Sequence, residues 1–415
     1  MNKKVLIISN EAFSDVSSNG RTMKNMLFCV PKENLAQFYI HGTPDVDFCA
    51  QYYGVSDSDA LRAFLFCKRR PKSEGGHTGA GKSDKTPKRN YRNLVLRNAI
   101  WQSMRWWTRE FDAFLDTFGP DVVLLQAGDA PFMYKIARRI ARKYGAKLMM
   151  FNTENYVLKK RMYAAKPGDS LFWHNILMKS LKRQYGSFME RADFCAYCTE
   201  YLEEIYQEKY PHPGKSAVFY TGTEMKDCAG LTDESAEFSL VYCGNLGVGR
   251  VPMLCKMAQT LKSVDNQAKL IIYGKFSDEE EKQKLCAYEN VDFRGLIAYE
   301  EVPEALAQAS VVIHCENSER LENLKTAFST KIADCLVCGK PFLVFASREY
   351  PFVQYLDKNM AAHIAEEEQE LKMILESCKA DQEYAVRFVS NAKRLAANNH
   401  CAKRNSERLW EILQR

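Results

Sequence analysis

The sequence lacks the long apolar runs from which membrane-spanning helices are built. No run of about 18 apolar residues occurs anywhere in the chain, so no transmembrane helix is expected. Near the N-terminus, two lysines precede only four apolar residues, Val5 to Ile8, and polar residues follow. That run is too short for the apolar part of a signal peptide. These absences predict a cytoplasmic protein.

Cysteine is too sparse for disulfide bonds to hold the fold together. The 14 cysteines among 415 residues are scattered without a secretory context, which predicts reduced thiols. Two Cys-x-x-Cys pairs occur, Cys195 with Cys198 and Cys335 with Cys338. The first pair falls in a strand pattern and the second in a helical pattern, whereas a structural zinc site takes four ligands at compatible spacing. Buried thiols are therefore predicted, and no metal site is expected.

Acidic residues are scarce in one segment, although the net charge of the whole chain is only +6. Residues 1–230 hold 35 basic and 24 acidic residues, whereas residues 231–415 hold 23 and 28. Within the first part, residues 68–109 alone carry 12 Lys or Arg against two acids. A positive field this local indicates an anionic partner for one face, either membrane phospholipid or nucleic acid.

Short apolar segments alternate with helical patterns through most of the chain, which is typical of parallel sheets covered by helices on both faces. The predicted strands lie at residues 5–9, 36–40, 122–126, 147–151, 194–197, 217–220, 239–243, 269–273, 291–293, 311–315, 341–345 and 361–364. The fold class is therefore predicted to be α/β, with two Rossmann-like, doubly wound domains facing a cleft.

The pattern pauses at residues 221–237, which are rich in Gly, Thr, Asp and Glu. The predicted organisation is an N-terminal domain at 1–225, a linker at 226–237, a C-terminal domain at 238–385 and a final helix at 386–415 that packs back on the first domain.

One segment of the first domain has no apolar periodicity, which predicts a mobile loop at residues 68–90. Residues 76–83 match the spacing of a phosphate-binding loop, but no buried strand precedes them, so a nucleotide loop is not predicted there. A helix is predicted at 91–118, with tryptophans among arginines.

A glycine-rich loop follows the first strand of the second domain, at residues 244–250. Its glycines leave room for a phosphate, and Arg250 adds a cation where a helix begins. A Rossmann dinucleotide site would have an acid at the end of the next strand, but that strand ends in Gly274 and Lys275, so NAD is not expected.

A second group of polar residues opens a helix after the strand at 311–315. Ser329 and Thr330 are good helix caps, and Lys331 with the first helical amides is expected to bind a phosphate. Asp334 lies one turn further on the same face, where a carboxylate accepts hydrogen bonds from ribose hydroxyls. In the first domain, a shorter polar loop precedes a helix in the same way and is a candidate acceptor or phosphate loop. Its residues are Asn19, Gly20 and Arg21.

At these residues the sequence resembles a glycosyltransferase of the GT-B fold, in particular the retaining family 4, or glycosyl transferases group 1. The resemblance covers nearly the whole chain. The family holds its donor diphosphate with two cations five residues apart; the second matches Arg250, and the first position is Asn245, for which Lys331 is a substitute. The family's second Glu, which binds ribose, matches Asp334. Its first Glu falls at Thr326, with three acids nearby that are candidates to replace it, namely Glu316, Glu319 and Glu322.

The resemblance implies a donor site in the second domain, with the nucleotide base contacted through the backbone after the strand at 291–293. The expected donor-binding residues are Gly244, Asn245, Gly247, Gly249, Arg250, Gly274, Gly295, Leu296, Ser329, Thr330, Lys331 and Asp334. It implies transfer without metal or other cofactor, the nucleotide-diphosphate sugar being a substrate, and a retaining outcome. Catalysis would rest on Arg250 and Lys331, which stabilise the leaving diphosphate. An inverting enzyme would need a general base, for which Asp129 and Glu154 at first-domain strand ends are candidates.

The resemblance also implies a lipid-linked or saccharide acceptor, in surface polysaccharide or glycolipid assembly. Because many such enzymes work on the inner face of a membrane, the tryptophan-rich helix is expected to contact an anionic bilayer. The residues assigned to that contact are Arg97, Trp101, Arg105, Trp106 and Trp107.

Three other functions stay open at the level of sequence. A nucleotide-sugar epimerase would keep the donor site and need no acceptor or membrane surface. A catalytically degenerate subunit of another transferase would agree with Asn245 and Thr326. Nucleic-acid binding through residues 68–109 ranks last, because no recognition fold accompanies the charge. The sequence does not indicate an oligomeric state.

Overall fold

The computed structural model describes residues 2–14, 18–66, 90–159, 170–231, 237–247, 249–276, 278–320 and 324–415. The chain forms two compact units. The first comprises Met1–Tyr220 with Lys403–Arg415, and the second comprises Thr221–Ala402. The boundary at Tyr220 lies five residues before the predicted one. The basic segment 68–90 falls almost entirely outside the described residues.

The first unit contains a parallel sheet of seven strands in the order β3-β2-β1-β4-β5-β6-β7. The strands are β1 Val5–Ile8, β2 Leu35–Tyr39, β3 Gln51–Gly54, β4 Val122–Gln126, β5 Lys147–Asn152, β6 Phe194–Tyr197 and β7 Lys215–Val218. The helices are Ser18–Leu27, Asp57–Phe66, Tyr91–Gln102, Arg109–Phe118, Pro131–Tyr144, Leu171–Met189 and Glu200–Lys209. Successive residues of β1 enter different cores, since Leu6 and Ile8 pack in one cluster and Val5 and Ile7 in another. Helices therefore cover both faces of the sheet.

The second unit contains a parallel sheet of six strands in the order β10-β9-β8-β11-β12-β13. The strands are β8 Ser239–Asn245, β9 Lys269–Lys275, β10 Val291–Gly295, β11 Val311–Cys315, β12 Phe342–Phe345 and β13 His363–Ala365. The helices are Val251–Val264, Glu279–Cys286, Val302–Ala307, Thr330–Val337, Pro351–Lys358, Glu368–Ala380, Gln382–Val386 and Val389–Asn399. The order of strands in both sheets confirms the predicted pair of doubly wound α/β domains.

The C-terminal segment is not the single helix predicted at 386–415. It is divided into the helices Val389–Asn399 and Ala402–Gln414. Leu409 and Leu413 of the last helix are buried in the core of the first unit. The final helix therefore packs on the first unit, as the sequence predicted.

The tryptophan-rich segment corrects a second prediction. It forms two helices, Tyr91–Gln102 and Arg109–Phe118, with Met104 between them at a φ of 58°. Trp101 and Trp106 are only 1% and 3% exposed. Trp101 stacks on Phe132 with ring centroids 4.8 Å apart and donates a hydrogen bond from Nε1 to Asp57. Both rings are part of the hydrophobic core and do not form the predicted membrane contact.

The remaining residues assigned to that contact also have partners within the unit. Arg97 forms a 2.7 Å ion pair with Asp57. Arg105 donates a hydrogen bond to the Phe64 carbonyl oxygen, and Trp107 is half-buried beneath the Arg139 guanidinium. Within the described part of the chain, none of the helices combines the length and hydropathy needed to cross a bilayer.

Candidate functional site

The glycine-rich loop begins inside the sheet of the second unit, because β8 extends to Asn245. Gly244 pairs with Gly274 of β9, and a Cβ on Gly274 would lie 2.0 Å from the Gly244 carbonyl oxygen. Gly274 is therefore required for close packing of the two strands, whatever else it contacts. Asn245 accepts a 2.8 Å hydrogen bond from the Gly247 amide, and Gly249 has a φ of 78°, which favours glycine.

Arg250, which was expected to bind the donor diphosphate, is in a buried ion pair in this structure. Its side chain is 8% exposed and that of Glu316 is 6% exposed. The guanidinium contacts Glu316 through Nε and Nη2, and it donates a 3.1 Å hydrogen bond to the Asn245 carbonyl oxygen. Nη1 also lies 3.3 Å from the Tyr242 hydroxyl. Glu316 thus compensates the positive charge of Arg250, the residue that was expected to bind the diphosphate.

Glu316 follows β11 and is the acid that the structure brings to the glycine-rich loop. Burial alone would raise its pKa, but the His314 ring and the Arg250 guanidinium outweigh burial and lower the pKa to about 2. Glu316 is therefore ionised at neutral pH. Its second oxygen, Oε2, is buried without a hydrogen-bond partner among the described residues. Of the other acids considered, Glu319 is exposed and Glu322 lies outside the described residues.

Lys331 reaches the same loop from the first turn of the helix Thr330–Val337. A Cβ built on Gly244 would lie only 2.1 Å from its Cε, so the lysine side chain crosses directly over the glycine. Burial, and then the nearby positive charge of Arg250, lower the pKa of Lys331 to about 8, against the opposing effect of Glu316 and Asp334. Ser329 is the N-cap residue of this helix, but its side chain makes no capping hydrogen bond, which differs from the capping role predicted for it.

Asp334, one turn further along the helix, already accepts hydrogen bonds from two protein side chains. Its Oδ1 accepts from the Thr223 hydroxyl at 2.6 Å and from the Tyr299 hydroxyl at 3.0 Å. These partners lie 111 and 35 residues away along the chain, so sequence spacing gave no signal for them. They fix the carboxylate on the helix face that was expected to bind ribose.

The residues assigned to the nucleotide base lie at the end of β10. Gly295 has a φ of 79°, and the Leu296 side chain that follows is 70% exposed. An apolar side chain this exposed beside a strand end is available to a ligand. The carboxyl ends of β8, β10 and β11 lie at the same edge of the parallel sheet, which is where ligands bind in such folds.

In the first unit, Asp129 and Glu154 follow the adjacent strands β4 and β5 and so lie at one edge of the sheet. Both carboxylates lie close enough to Lys159 to affect its pKa, and the sequence analysis did not single out this lysine. Lys159 Nζ lies 3.8 Å from Glu154 Oε2. Burial lowers the pKa of Lys159 to about 8, and the two carboxylates oppose that change.

The residues predicted to form an acceptor loop in the first unit lie in the first turn of the helix Ser18–Leu27, which is the first helix after β1. Gly20 is buried and Arg21 is half-buried, while the side chain of Asn19 lies outside the described part of the structure. The structure thus has a helix where a loop was predicted, and the assignment of these residues to an acceptor or phosphate stays a prediction.

Residues 237–374 match the family model described as glycosyl transferases group 1, and this range lies within the second unit. No curated protein sequence matches the chain.

Solved structures match the chain over almost its whole length. Sucrose-phosphate synthase from Thermosynechococcus elongatus has a TM-score of 0.62 at 11% identity, covering 99% of this chain and 98% of that one. HepE of Anabaena in complex with UDP has a TM-score of 0.62 at 12% identity, covering 99% of both chains. WaaG, a glycosyltransferase involved in lipopolysaccharide biosynthesis, has a TM-score of 0.55 at 14% identity, covering 99% of both chains. Residues 237–374 are thus similar to the glycosyl transferases group 1 family, and the chain has the GT-B fold.

Proposed function

We propose that this protein is a glycosyltransferase that binds a nucleotide-diphosphate sugar in its second unit and transfers the sugar to a lipid-linked or saccharide acceptor. The observation that carries the proposal is the position of Lys331. A lysine crosses a glycine of the strand-end loop, in the segment that matches the family. A cation over bare backbone at a helix N-terminus is well suited to a diphosphate.

The proposed mechanism assigns the leaving group to Lys331 and to the first amides of its helix. Negative charge grows on the diphosphate as the bond to the sugar breaks, and a positive group already in place stabilises that charge. Arg250 contributes through its ion pair with Glu316, which fixes the loop under the diphosphate. Because the protein supplies these groups itself, we propose transfer that needs no metal ion. In a retaining reaction the donor phosphate takes the acceptor proton, and no protein base is required.

Uridine nucleotides are the first donors to test. HepE, which shares the fold, was crystallised with UDP and with UDP-glucose. An acceptor on the cytoplasmic face of a membrane, in polysaccharide or glycolipid assembly, agrees with the role of WaaG in lipopolysaccharide biosynthesis.

The test begins with the thermal shift of the protein on addition of a panel of nucleotide sugars. The nucleotide sugar that stabilises the protein is then used in calorimetry with the Lys331→Met variant. We expect binding to weaken by about tenfold or more, because a charge-assisted contact contributes about 1.5–3 kcal/mol. Lys372→Met is the matched control, since it removes a surface lysine, with its side chain 40% exposed, from the helix Glu368–Ala380. Equal affinity in both variants would contradict the donor site.

A catalytically degenerate subunit is the second candidate, and two observations favour it. Arg250 is already paired with Glu316, and Thr326 stands where the resemblance places a Glu. The two candidates differ in turnover, because a degenerate subunit binds the nucleotide sugar and transfers nothing. Release of free nucleotide in the presence of membrane extract distinguishes them, and the anomeric configuration of the product then separates a retaining from an inverting reaction.

A further inference from the structure

A dense group of basic side chains lies on one surface of the first unit, beside the helix Tyr91–Gln102. It surrounds a cavity of about 320 Å³ whose five lining residues are all basic. They are Lys135, Arg138, Arg139, Arg142 and Arg191. Four belong to the helix Pro131–Tyr144 and the fifth follows the helix Leu171–Met189. We refer to these residues as the basic groove.

Two residues of the basic groove are fixed at its base by neutral partners. Arg138 donates to the Gln184 amide oxygen at 2.6 Å, and Lys135 donates to the Gln102 carbonyl oxygen at 2.8 Å. Burial lowers the pKa of Arg138, and the charge of Arg191 lowers it further; Glu190 acts in the opposite sense. Positive charges held this close repel one another, so an anionic ligand would relieve their repulsion.

The helix Leu171–Met189 continues this surface with a second kind of side chain. Four of its side chains are spaced at intervals of four, three and four residues, which places them on one face of the helix. They are Phe172, Ile176, Lys179 and Arg183. All four are exposed, with Phe172 at 64% and Ile176 at 38%. The face is therefore apolar in its first half and basic in its second half. Arg183 is close enough to Arg138 to affect its pKa.

We propose that the basic groove and the exposed face of the helix Leu171–Met189 together form a docking surface for an anionic phospholipid bilayer. A bilayer accepts both kinds of side chain, since its headgroups attract Lys and Arg while its interface takes up Phe and Ile. Nucleic acid would match the arginines but leave Phe172 and Ile176 exposed to water. The inference rests on the membrane part of the proposed function and not on sugar transfer.

The experiment uses the full chain and sedimentation with vesicles of phosphatidylcholine, with and without phosphatidylglycerol. The test variant replaces four exposed basic residues of this surface by Gln, at Arg142, Lys179, Arg183 and Arg191. Each basic residue near an anionic surface strengthens binding by a factor of about five, so binding should weaken by several hundredfold. Binding of the native chain should also fall at high salt. The control removes the same charge at scattered exposed lysines: Lys209, Lys215, Lys284 and Lys358.

A second variant tests the apolar half of the surface. The Phe172→Ser and Ile176→Ser double variant should weaken vesicle binding by about tenfold. At high salt it should also retain less vesicle binding than the native chain does, because salt screens the basic contacts but not apolar insertion. Unchanged binding in the quadruple variant, or equal loss in its control, would overturn the proposal. Binding of DNA that depends on the basic groove, without binding to vesicles, would also overturn it. Thermal shift by UDP-glucose in each variant is a separate readout, so loss of the donor site is distinguishable from loss of membrane docking.

Discussion

The low pKa of Lys331 predicts that donor binding weakens as the pH rises. In the unliganded protein, burial and Arg250 lower the pKa of this lysine to about 8. A diphosphate placed beside the ammonium would favour the charged form and raise that pKa. Binding therefore selects the protonated lysine, and an increasing part of the free protein has lost that proton above a pH of about 8.

The size of the effect follows from linkage. With a pKa of about 8, Lys331 is about nine-tenths protonated at a pH of about 7 and about one-tenth protonated at a pH of about 9. If only the protonated form binds, the apparent Kd rises by about tenfold over this interval. Near a pH of about 8, binding takes up about half a proton per ligand.

Isothermal titration calorimetry with a nucleotide sugar measures both quantities. Titrations in buffers of different ionisation enthalpy give the proton uptake, and those at different pH give the Kd. Lys331→Arg is the control, because a guanidinium stays charged across this range and its affinity should not depend on pH. Any pH dependence that remains in this variant belongs to the ligand. A native Kd that stays constant over the same interval would refute the role of Lys331.

Three further predictions concern single contacts. Glu316→Gln leaves the buried Arg250 uncompensated, so the free energy of unfolding, measured by denaturant titration, should fall by about 3–5 kcal/mol. The Arg250→Met and Glu316→Leu double variant should recover most of this loss. A similar loss in both variants would contradict the role of the ion pair. Gly244→Ala should reduce donor affinity, measured by calorimetry, as much as Lys331→Met does, because the new Cβ would displace Lys331. Gly128→Ala is the control and should leave donor affinity unchanged, since no atom lies within 4 Å of its new Cβ. Trp106→Ala should lower the free energy of unfolding by about 3–5 kcal/mol, measured by denaturant titration, and a loss under about 1 kcal/mol would contradict its burial in the core.

Most of the sheet architecture could be predicted because buried parallel strands are continuous apolar runs. β4, β6 and β11 have the predicted bounds. β3 was missed, since Gln51–Gly54 is half-buried at the edge of the sheet and contains no aliphatic run. An edge strand of this kind has no period that distinguishes it from a loop.

The chemistry of the site was predicted less completely than its position. Four of the predicted residues do lie together at one edge of the sheet, because the loops that follow parallel strands lie at the same edge. They are Gly244, Arg250, Lys331 and Asp334. What spacing did not indicate is that Arg250 and Asp334 already have partners in the protein. Partners that lie 66 and 111 residues away leave no local pattern.

Composition misled in the tryptophan-rich segment for a related reason. Trp beside Arg is typical of a membrane interface. A core helix whose arginines pair with acids elsewhere in the same unit has the same composition. Trp101 illustrates the second case, since its ring stacks on Phe132 while its Nε1 donates to Asp57. Arg97 pairs with the same carboxylate. One acid thus satisfies both residues inside the unit.

The charges of the proposed donor site explain why its affinity should depend so strongly on one lysine. Arg250 and Lys331 bring two positive charges, while Glu316 and Asp334 bring two negative ones, so the four groups together are neutral when all are ionised. Glu316 is ionised at neutral pH, because its pKa is lowered to about 2. A diphosphate entering such a site finds Arg250 already compensated at contact distance. Attraction for the ligand then comes from Lys331 and the helix amides beside it. The charge of that lysine changes with pH near its pKa of about 8.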